Sequence, residues 1–382
     1  MVEWKKLGEV CNVYDGTHQT PKYTDCGIKF VSVENIHAPY NSNKYISEDD
    51  YIKKYKTKPQ QGDVLMTRIG DIGTCTVLNR EEPIAYYVSL ALLRPNQDLV
   101  QSNYVKYILE SNTGKKELRK KALLTAVPLK INLGDVGKIS IPIPSLSEQQ
   151  RIVSILDTFT SSISNLKQQI EERRKQYEYE RDLLLDLEGK EGVEMKKLGE
   201  VGDICMCKRI MKDQTSEKGD IPFFKIGTFG GKADAYISRE LFEDYKEKYS
   251  YPKKGEILIS AAGTIGRSVV FDGEDAYFQD SNIVWISNNE QLVLNTFLRY
   301  LYGIIDWKID GGTIKRLYNY NLKNATIYVP SLEAQSRIVS ILDTFEQSIA
   351  NLEEQLAMRE KQYEYYRNQL LTFEGEEERG KT

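Results

Sequence analysis

An internal repeat constrains the fold of this 382-residue chain more than any other feature. Segments 144–185 and 330–371 align without gaps, with 27 identities in 42 positions. The hexapeptide KKLGEV occurs at 5–10 and again at 196–201, ahead of each of these segments. The regions that follow each hexapeptide, up to the repeated segment, are less similar between the two copies. The repeat therefore predicts the order globule, helix, globule, helix, with two copies of one unit.

The two repeated segments carry a heptad pattern of apolar residues, which is typical of long helices that pack along a narrow seam. Ser145 or Ser147 in the first copy and Ser331 in the second are candidate helix caps. Each helix of about 40 residues would be roughly 60 Å long. The predicted seam consists of Ile152, Leu156, Phe159, Ile163, Leu166, Ile170, Tyr177, Leu184, Ile338, Leu342, Phe345, Ile349, Leu352, Leu356, Tyr363 and Leu370.

A narrow apolar seam of this length has to meet another helix, and the other copy is the simplest partner. Because a globule precedes each helix, an antiparallel pair would place one globule at each end, related by a pseudo-two-fold axis. Arg173 and Arg359 occupy matching seam positions, where they would fix the register rather than add stability. The alternative is two separate core helices.

The globules have short β-rich runs punctuated by Gly, Asp and Pro, and one helical pattern each, at 102–111 and 295–304. We therefore expect an α+β fold with two mixed globules and two long helices that form an antiparallel coiled coil. The predicted segments are the first globule 1–144, the first helix 145–187, a linker 188–194, the second globule 195–330, the second helix 331–374 and an acidic flexible tail 375–382.

Composition indicates a folded soluble protein, with 40% hydrophobic and 28% charged residues. The five cysteines are odd in number and irregularly spaced, as expected for reduced thiols. No apolar run is long enough to span a membrane, and the N-terminus lacks the apolar core of a secretory signal. We therefore expect a cytoplasmic protein that does not associate with membranes.

The net charge of −4 is unevenly distributed along the chain. Residues 1–144 carry 20 Lys and Arg against 16 Asp and Glu, whereas the acidic excess lies mainly in the helical segments and the tail. A DNA-binding surface needs local positive charge rather than a positive total. The charge balance alone neither establishes nor excludes nucleic acid as a partner.

The two helices are nearly identical, whereas the two globules have diverged. A symmetric spacer with two unlike globules is suited to a protein that recognises two different features a fixed distance apart. Duplex DNA presents such a target, because half-sites one helical turn apart are separated by roughly 34 Å.

Several motifs resemble the specificity subunits of type I restriction–modification systems, and the match covers nearly the whole chain in the right order. They are KKLGEV, DGTHQTP at 15–21, GDVLMTRIGDIG at 62–73, GEILISAAGTIG at 255–266, and the helix openings PSLSEQQRIVSILDTF and PSLEAQSRIVSILDTF. The acidic charge balance and the seam arginines depart from this pattern.

The resemblance implies a subunit that bridges two adenine-N6 methyltransferase subunits, joined by motor–nuclease subunits when the assembly restricts DNA. Each globule would be a target-recognition domain for one half of a bipartite, asymmetric sequence in double-stranded DNA, and the helix pair would hold the gap constant. The resemblance implies no cofactor in this chain, because S-adenosylmethionine would bind to the partner methyltransferase.

Catalytic motifs are missing from the sequence. The two histidines, His18 and His37, have no counterparts in the second copy, so a catalytic set built on them could not have been duplicated with the fold. There is no phosphate-binding GxxxxGK[ST] loop and no Asp/Asn-Pro-Pro-aromatic tetrad. Cys205-Met206-Cys207 lacks a second pair of metal ligands. We therefore expect a subunit that is not itself an enzyme and holds no metal.

The glycine-rich stretches at 69–74 and 261–267 admit two interpretations. They are more typical of tight turns between strands than of a dinucleotide-binding loop, because neither begins a long helix. Turn glycines would also let nearby side chains approach DNA closely.

Candidate DNA contacts lie in polar or basic loops of the two globules, where solvated surface loops are the alternative. For the first surface they are Thr17, His18, Gln19, Lys22, Arg68 and Lys130, and for the second Lys208, Arg209, Lys212, Arg267, Lys315 and Arg316, with Thr313 and Tyr318 beside them. The helix openings 149–155 and 335–341 would help to dock the methyltransferases. The alternative function is a non-catalytic coiled-coil adaptor that bridges two protein partners.

Overall fold

The computed structural model describes residues 2–309 and 315–373, and the structural statements below refer to these residues. The predicted tail 375–382 and Thr313 lie outside them. The chain divides into two compact units, each of which contains one globule and a part of each long helix. The first unit comprises Met1–Gln168 with Glu353–Thr382, and the second comprises Gln169–Leu352. The predicted segment boundaries stay a prediction.

The first globule, called the first head below, is built from short strands and short helices. In chain order these are β1 (Glu3–Lys6), α1 (Leu7–Val10), β2 (Cys11–Asp15), β3 (Ile28–Val31), β4 (Tyr45–Ile46), α2 (Glu48–Lys54), β5 (Val64–Thr67), β6 (Cys75–Val77), β7 (Ile84–Tyr86), β8 (Leu90–Pro95), α3 (Ser102–Glu110), α4 (Asn112–Lys121), α5 (Leu133–Val136) and β9 (Ser140–Ile143). The first long helix, α6, follows at Leu146–Leu185.

The second globule, called the second head, repeats most of this series. Its elements are β10 (Glu194–Lys197), α7 (Leu198–Val201), β11 (Gly202–Cys205), β12 (Ile221–Phe224), β13 (Ala235–Ile237), α8 (Arg239–Lys248), β14 (Ile257–Ser260), β15 (Ser268–Val270), β16 (Tyr277–Phe278), β17 (Ile283–Asn288), α9 (Asn295–Tyr302), α10 (Asn319–Asn324) and β18 (Thr326–Val329). The second long helix, α11, spans Leu332–Leu370.

The two heads share one sheet topology. Each has a four-stranded antiparallel sheet, in the order β2-β8-β5-β6 or β11-β17-β14-β15, and a three-stranded mixed sheet, β4-β3-β7 or β13-β12-β16. In each head the first and last strands pair antiparallel, as β1 with β9 and β10 with β18. The expected α+β fold with two mixed globules is therefore confirmed.

A buried glutamine fixes the start of α6 to the first head. The Gln149 side chain is fully buried; its Oε1 accepts from the Gln101 backbone N–H at 2.9 Å, and its Nε2 donates to the carbonyls of Leu99 at 3.0 Å and Pro144 at 2.9 Å. One side chain therefore provides hydrogen-bond partners for three backbone groups at a partly buried junction.

Gln335 makes the same three hydrogen bonds in the second unit. Its Oε1 accepts from the Leu294 N–H at 2.9 Å, and its Nε2 donates to the carbonyls of Leu292 at 2.9 Å and Pro330 at 2.8 Å. Both glutamine amides are thus occupied within the chain. Their place at the helix openings is explained by attachment of the head, and the docking of methyltransferases at these openings stays a prediction.

We expect Gln149→Ala to lower the free energy of local opening around α3 and the start of α6 by about 2–3 kcal/mol, because buried backbone groups lose their partners. Gln335→Ala should do the same around α9. The control is Gln150→Ala, since Gln150 is exposed and its side chain bonds to the side chains of Gln101 at 3.1 Å and Ser154 at 3.2 Å. Hydrogen exchange followed by mass spectrometry measures each opening separately. Equal protection in Gln149→Ala and Gln150→Ala would contradict the assignment.

In the first unit the long helices run antiparallel. The Phe159 ring stacks on Tyr366 with centroids 5.3 Å apart, and about two turns further along α6 the Lys167 ammonium lies 3.0 Å from Glu360. The partner number falls as the α6 number rises, which defines the antiparallel direction. The Arg359 guanidinium lies over the Phe159 ring, 5.7 Å from its centroid.

The second unit repeats these contacts with the helices exchanged. Arg173 lies over the Phe345 ring at 5.7 Å, and the Tyr177 hydroxyl donates to Glu346 at 3.0 Å. Every residue of the predicted seam is buried or half-buried. The seam arginines therefore rest on aromatic faces, a favourable environment for a partly desolvated cation. The detailed coiled-coil packing of the pair stays a prediction.

Candidate DNA interface

Four loops of the first head meet on one surface, called the first recognition surface below. They are residues 16–22 after β2, residues 68–74 between β5 and β6, residues 87–89 between β7 and β8, and residues 122–131. Backbone hydrogen bonds connect them, from Val88 to Thr17 at 2.9 Å, from Arg68 to Ser89 at 3.0 Å and from Gly70 to Leu129 at 2.7 Å. The structure thus brings together the segments that contain the predicted contacts of this head.

Arg68 lies beneath this surface rather than on it. Its side chain is only 8% exposed, and its guanidinium donates to the Asp15 carboxylate at 2.6 Å and to the Ile131 carbonyl at 3.3 Å. The other Asp15 oxygen lies 2.7 Å from Nε2 of His18. Arg68 therefore links Asp15 to the 122–131 loop in this structure, and its contact with DNA stays a prediction.

The other predicted side chains of the first head are accessible. The His18 side chain is 72% exposed, and Gln19, Lys22 and Lys130 are exposed as well. Thr17 is half-buried, and its Oγ1 accepts from the Gln19 N–H at 3.3 Å. His18 and Gln19 are suited to hydrogen bonds with base edges, and the two lysines to phosphates.

The equivalent loops of the second head also meet. Backbone N–H groups of Ala261 and Leu317 donate to the carbonyls of Asn282 at 2.7 Å and Ala261 at 2.9 Å, respectively. Nε of Arg209 lies 2.9 Å from the Asp280 carboxylate. These contacts define the second recognition surface, formed by residues 206–212, 261–267, 280–282 and 315–318.

The predicted basic residues of the second head differ in accessibility. Arg209 is 66% exposed despite its ion pair, and Lys212 and Lys315 are exposed. Arg316 is half-buried and donates to the Ser281 carbonyl at 2.5 Å. Arg316 therefore links the 315–318 loop to the 280–282 turn by a hydrogen bond, as Arg68 links segments of the first head.

The charged groups of two further basic residues in this head contact other parts of the protein. The Lys208 ammonium lies 5.0 Å from the centre of the Tyr249 ring, and the exposed Arg267 donates to the Gly230 carbonyl at 3.3 Å. Both remain accessible at the surface. DNA contact by any of these residues stays a prediction.

The glycine-rich stretches are hairpin turns, as their spacing favoured. β5 pairs antiparallel with β6, and β14 with β15. Gly70 and Gly73 have φ of +84° and +94°, and Gly263 and Gly266 have +66° and +81°. Such positive values favour glycine, so these residues are explained by the turn itself.

The cysteines of the second head are poorly suited to metal binding or nucleophilic chemistry. Burial raises the pKa of the Cys207 thiol to about 12 and also raises the pKa of Cys205. A thiol in this environment stays protonated at neutral pH, whereas metal binding and attack both need the thiolate. Among the residues described, no cluster of three His, Cys, Asp or Glu has the geometry to bind a metal ion.

Comparison with known proteins agrees with this arrangement of paired heads and helices. A family model described as the type I restriction modification DNA specificity domain matches residues 1–173 and, a second time, residues 190–358. The chain belongs to this family. The resemblance carried by the KKLGEV and PSLSEQQRIVSILDTF motifs is thereby confirmed.

Relatives of this specificity subunit align over much or all of their length. A Haemophilus influenzae protein, provisionally named a type I restriction enzyme specificity subunit, is 42% identical over 97% of this chain and 96% of its own. The specificity subunit of the Escherichia coli enzymes EcoR124I and EcoR124II is 31% identical over 62% of this chain and 63% of its own. These relatives are named as specificity subunits rather than as catalytic subunits.

Solved structures of specificity subunits share the fold. An S subunit from M. genitalium superposes with a TM-score of 0.61 and 14% identity, covering 98% of this chain and 97% of its own. A chain from a study of type I complex assembly and conformational transition gives a TM-score of 0.62 at 19% identity, covering 97% of each chain. At these identities the likeness concerns the fold alone.

The two heads of this specificity subunit place different side chains at equivalent points. Matching backbone bonds, from Ile131 to Arg68 and from Leu317 to Ala261, make Ala261 the counterpart of Arg68. By the same pairing Arg316 is the counterpart of Lys130. At these two equivalent points the first head therefore has Arg68 and Lys130, whereas the second has Ala261 and Arg316. As for membranes, none of the helices that the structure describes is long and apolar enough to cross one.

Proposed function

We propose that this chain is the non-catalytic DNA-recognition subunit of a type I restriction–modification system and recognises a bipartite, asymmetric duplex sequence, one half with each head. One observation supports this most. The two heads share their topology and their glutamine junctions to the helices, yet the four loops of each recognition surface carry different polar side chains. Identical scaffolds with unlike loops are expected of two domains that recognise different bases.

We further propose that two adenine-N6 methyltransferase subunits bind the chain and supply S-adenosylmethionine and the chemistry, and that motor–nuclease subunits join for restriction. The absence of catalytic motifs from the sequence supports a division of labour of this kind. The site of action would be the cytoplasm, where the subunits can reach double-stranded DNA.

The long helices would set the gap between the two half-sites. The aromatic–arginine contacts that occur in each unit support this role, because a matched pair of contacts fixes the register of one helix along the other. Insertion of helical turns into both helices would then lengthen the gap in the target.

The test is to express the chain with its genomic methyltransferase partner in a host without adenine methylation, and to map N6-methyladenine by sequencing. We expect methylation within one bipartite motif whose two halves differ. A single continuous motif, or methylation without sequence preference, would contradict the proposal. A chain that binds its partners but whose complex has no salt-dependent affinity for duplex DNA would instead support the protein-adaptor alternative.

A further inference from the structure

Helix α4 is a basic element that the sequence did not mark as helical. Its inner side contains Gly114 and Leu118, which are both buried. Its outer side presents four exposed cations in two neighbouring rows of the helix surface, namely Lys115, Lys116, Arg119 and Lys120. The helix, Asn112–Lys121, contains one acid, Glu117, which pairs with Lys120 at 2.6 Å.

This arrangement of charge does not favour the folded helix by itself. Lys115 and Arg119, like Lys116 and Lys120, stand four residues apart, a spacing at which like charges repel. Cations near the C-terminal end of a helix are stabilised by its dipole, which accounts for Arg119 and Lys120. Lys115 and Lys116 lie near the middle of the helix, where its dipole does not stabilise them. The outer side is therefore better explained by a polyanionic partner than by helix stability.

The helix lies directly beside the first recognition surface. Gly73 of the 68–74 loop packs so closely on Leu118 that a Cβ at Gly73 would overlap the leucine side chain. At its C-terminal end α4 leads into the 122–131 loop, where the Leu123 N–H donates to the Lys130 carbonyl at 2.8 Å. The basic row thus continues from the loop that carries Lys130.

The second head has no such helix among its described residues. Its helix α9 corresponds to α3 and ends at Tyr302, and the residues that follow up to 309 form turns and extended chain. The distribution of charge is consistent with this difference between the heads, since residues 1–144 have a surplus of four basic residues. The basic helix is thus an addition to one head of an otherwise matched pair.

We propose that the outer side of α4 binds the phosphate backbone of duplex DNA next to the first half-site. This inference rests on the proposed DNA-recognition function and extends it to residues outside the four loops. Such contacts carry no base information, so they anchor the first head and add to affinity without changing the target. The complex should therefore cover more DNA beyond the first half-site than beyond the second.

The experiment compares two double variants, each within the complete complex with methyltransferase. Lys115→Gln/Lys116→Gln removes two cations of α4. The matched control, Lys6→Gln/Lys138→Gln, removes two exposed cations of the same head at the β1–β9 end. Affinity for a duplex that contains the methylated motif is measured from 50 to 200 mM salt, and methylated sites are mapped.

For the α4 variant we expect the slope of log affinity against log salt to become shallower by about 0.9 for each phosphate that the variant no longer neutralises, with the methylated sequence unchanged. The control should keep the parent slope. An α4 variant with the parent slope and the parent motif would overturn this inference and leave the proposed function standing. A parent complex that does not bind duplex DNA would overturn both.

Discussion

Gly16→Ala is expected to weaken recognition of the first half-site by about thirtyfold or more, as expected when one or two good base contacts no longer form. Gly16 precedes Thr17, His18 and Gln19 and packs against the β7–β8 turn. A Cβ at this position would lie 2.5 Å from the carbonyl carbon and oxygen of Tyr87 and 2.8 Å from the backbone nitrogen of Val88. Because these neighbours are backbone atoms of the short turn between β7 and β8, rather than the end of a flexible side chain, we expect the 16–22 loop to shift.

The control for this variant is Gly134→Ala in α5, where an added Cβ has no neighbour within 4 Å. Methylation is measured on duplexes altered in one half-site at a time. We expect Gly16→Ala to lose discrimination in the first half and to keep it in the second. Unchanged discrimination in both halves would show that the 16–22 loop does not contact bases.

Asp15→Ala is expected to lower the free energy of unfolding of the first unit by about 3 kcal/mol, in the range for removing one partner of a buried ion pair. The variant leaves the Arg68 guanidinium buried, with the Ile131 carbonyl as its remaining acceptor. His18→Ala is the matched control, because His18 is the exposed partner of the same carboxylate. We expect it to change stability by less than about 0.5 kcal/mol, as exposed pairs do.

Urea denaturation of the purified chain, with hydrogen exchange to assign the change to the first head, measures both variants. His18→Ala should nonetheless weaken DNA recognition, since its imidazole lies on the surface. Equal destabilisation by the two substitutions would contradict the buried role of Arg68.

The long helices were predictable because their determinants are local and repeated. A seam residue recurs every three or four positions along much of each helix, and the second copy provides an independent instance of the same pattern. Ser145 and Ser331 accept hydrogen bonds from the N–H groups of Glu148 and Ala334, at 3.4 and 3.3 Å, as helix caps should.

For the recognition surfaces, the sequence predicted which segments take part but not which side chains are exposed. The sequence identified the loops that meet, but the burial of Arg68 depends on an aspartate 53 residues away, which no local pattern reveals. The sequence did not predict helix α4 because NTGKKELRKK has only Leu118 as a large apolar residue, so no apolar residue recurs at helical spacing. A helix that buries one leucine against a neighbouring loop is fixed by tertiary contacts.

The sequence located the glutamine junctions, but it did not predict that each glutamine attaches the preceding head to its helix. Their recurrence at the same place in both helices is visible in the sequence, whereas their hydrogen-bond partners are not. The three backbone groups that each glutamine satisfies lie up to 50 residues earlier in the chain. A polar residue in a repeated helix opening can therefore serve attachment of the preceding domain as well as an interface.

The central claim is that each head recognises its own half of the target, and a chain with two copies of the second head tests it most directly. Residues 194–329 replace residues 3–143, since Glu194 pairs with Val329 as Glu3 pairs with Ile143. With the methyltransferase partner, we predict methylation of a target in which the second half-site occurs in both halves. Methylation of the parental asymmetric sequence by this chimera would contradict the account.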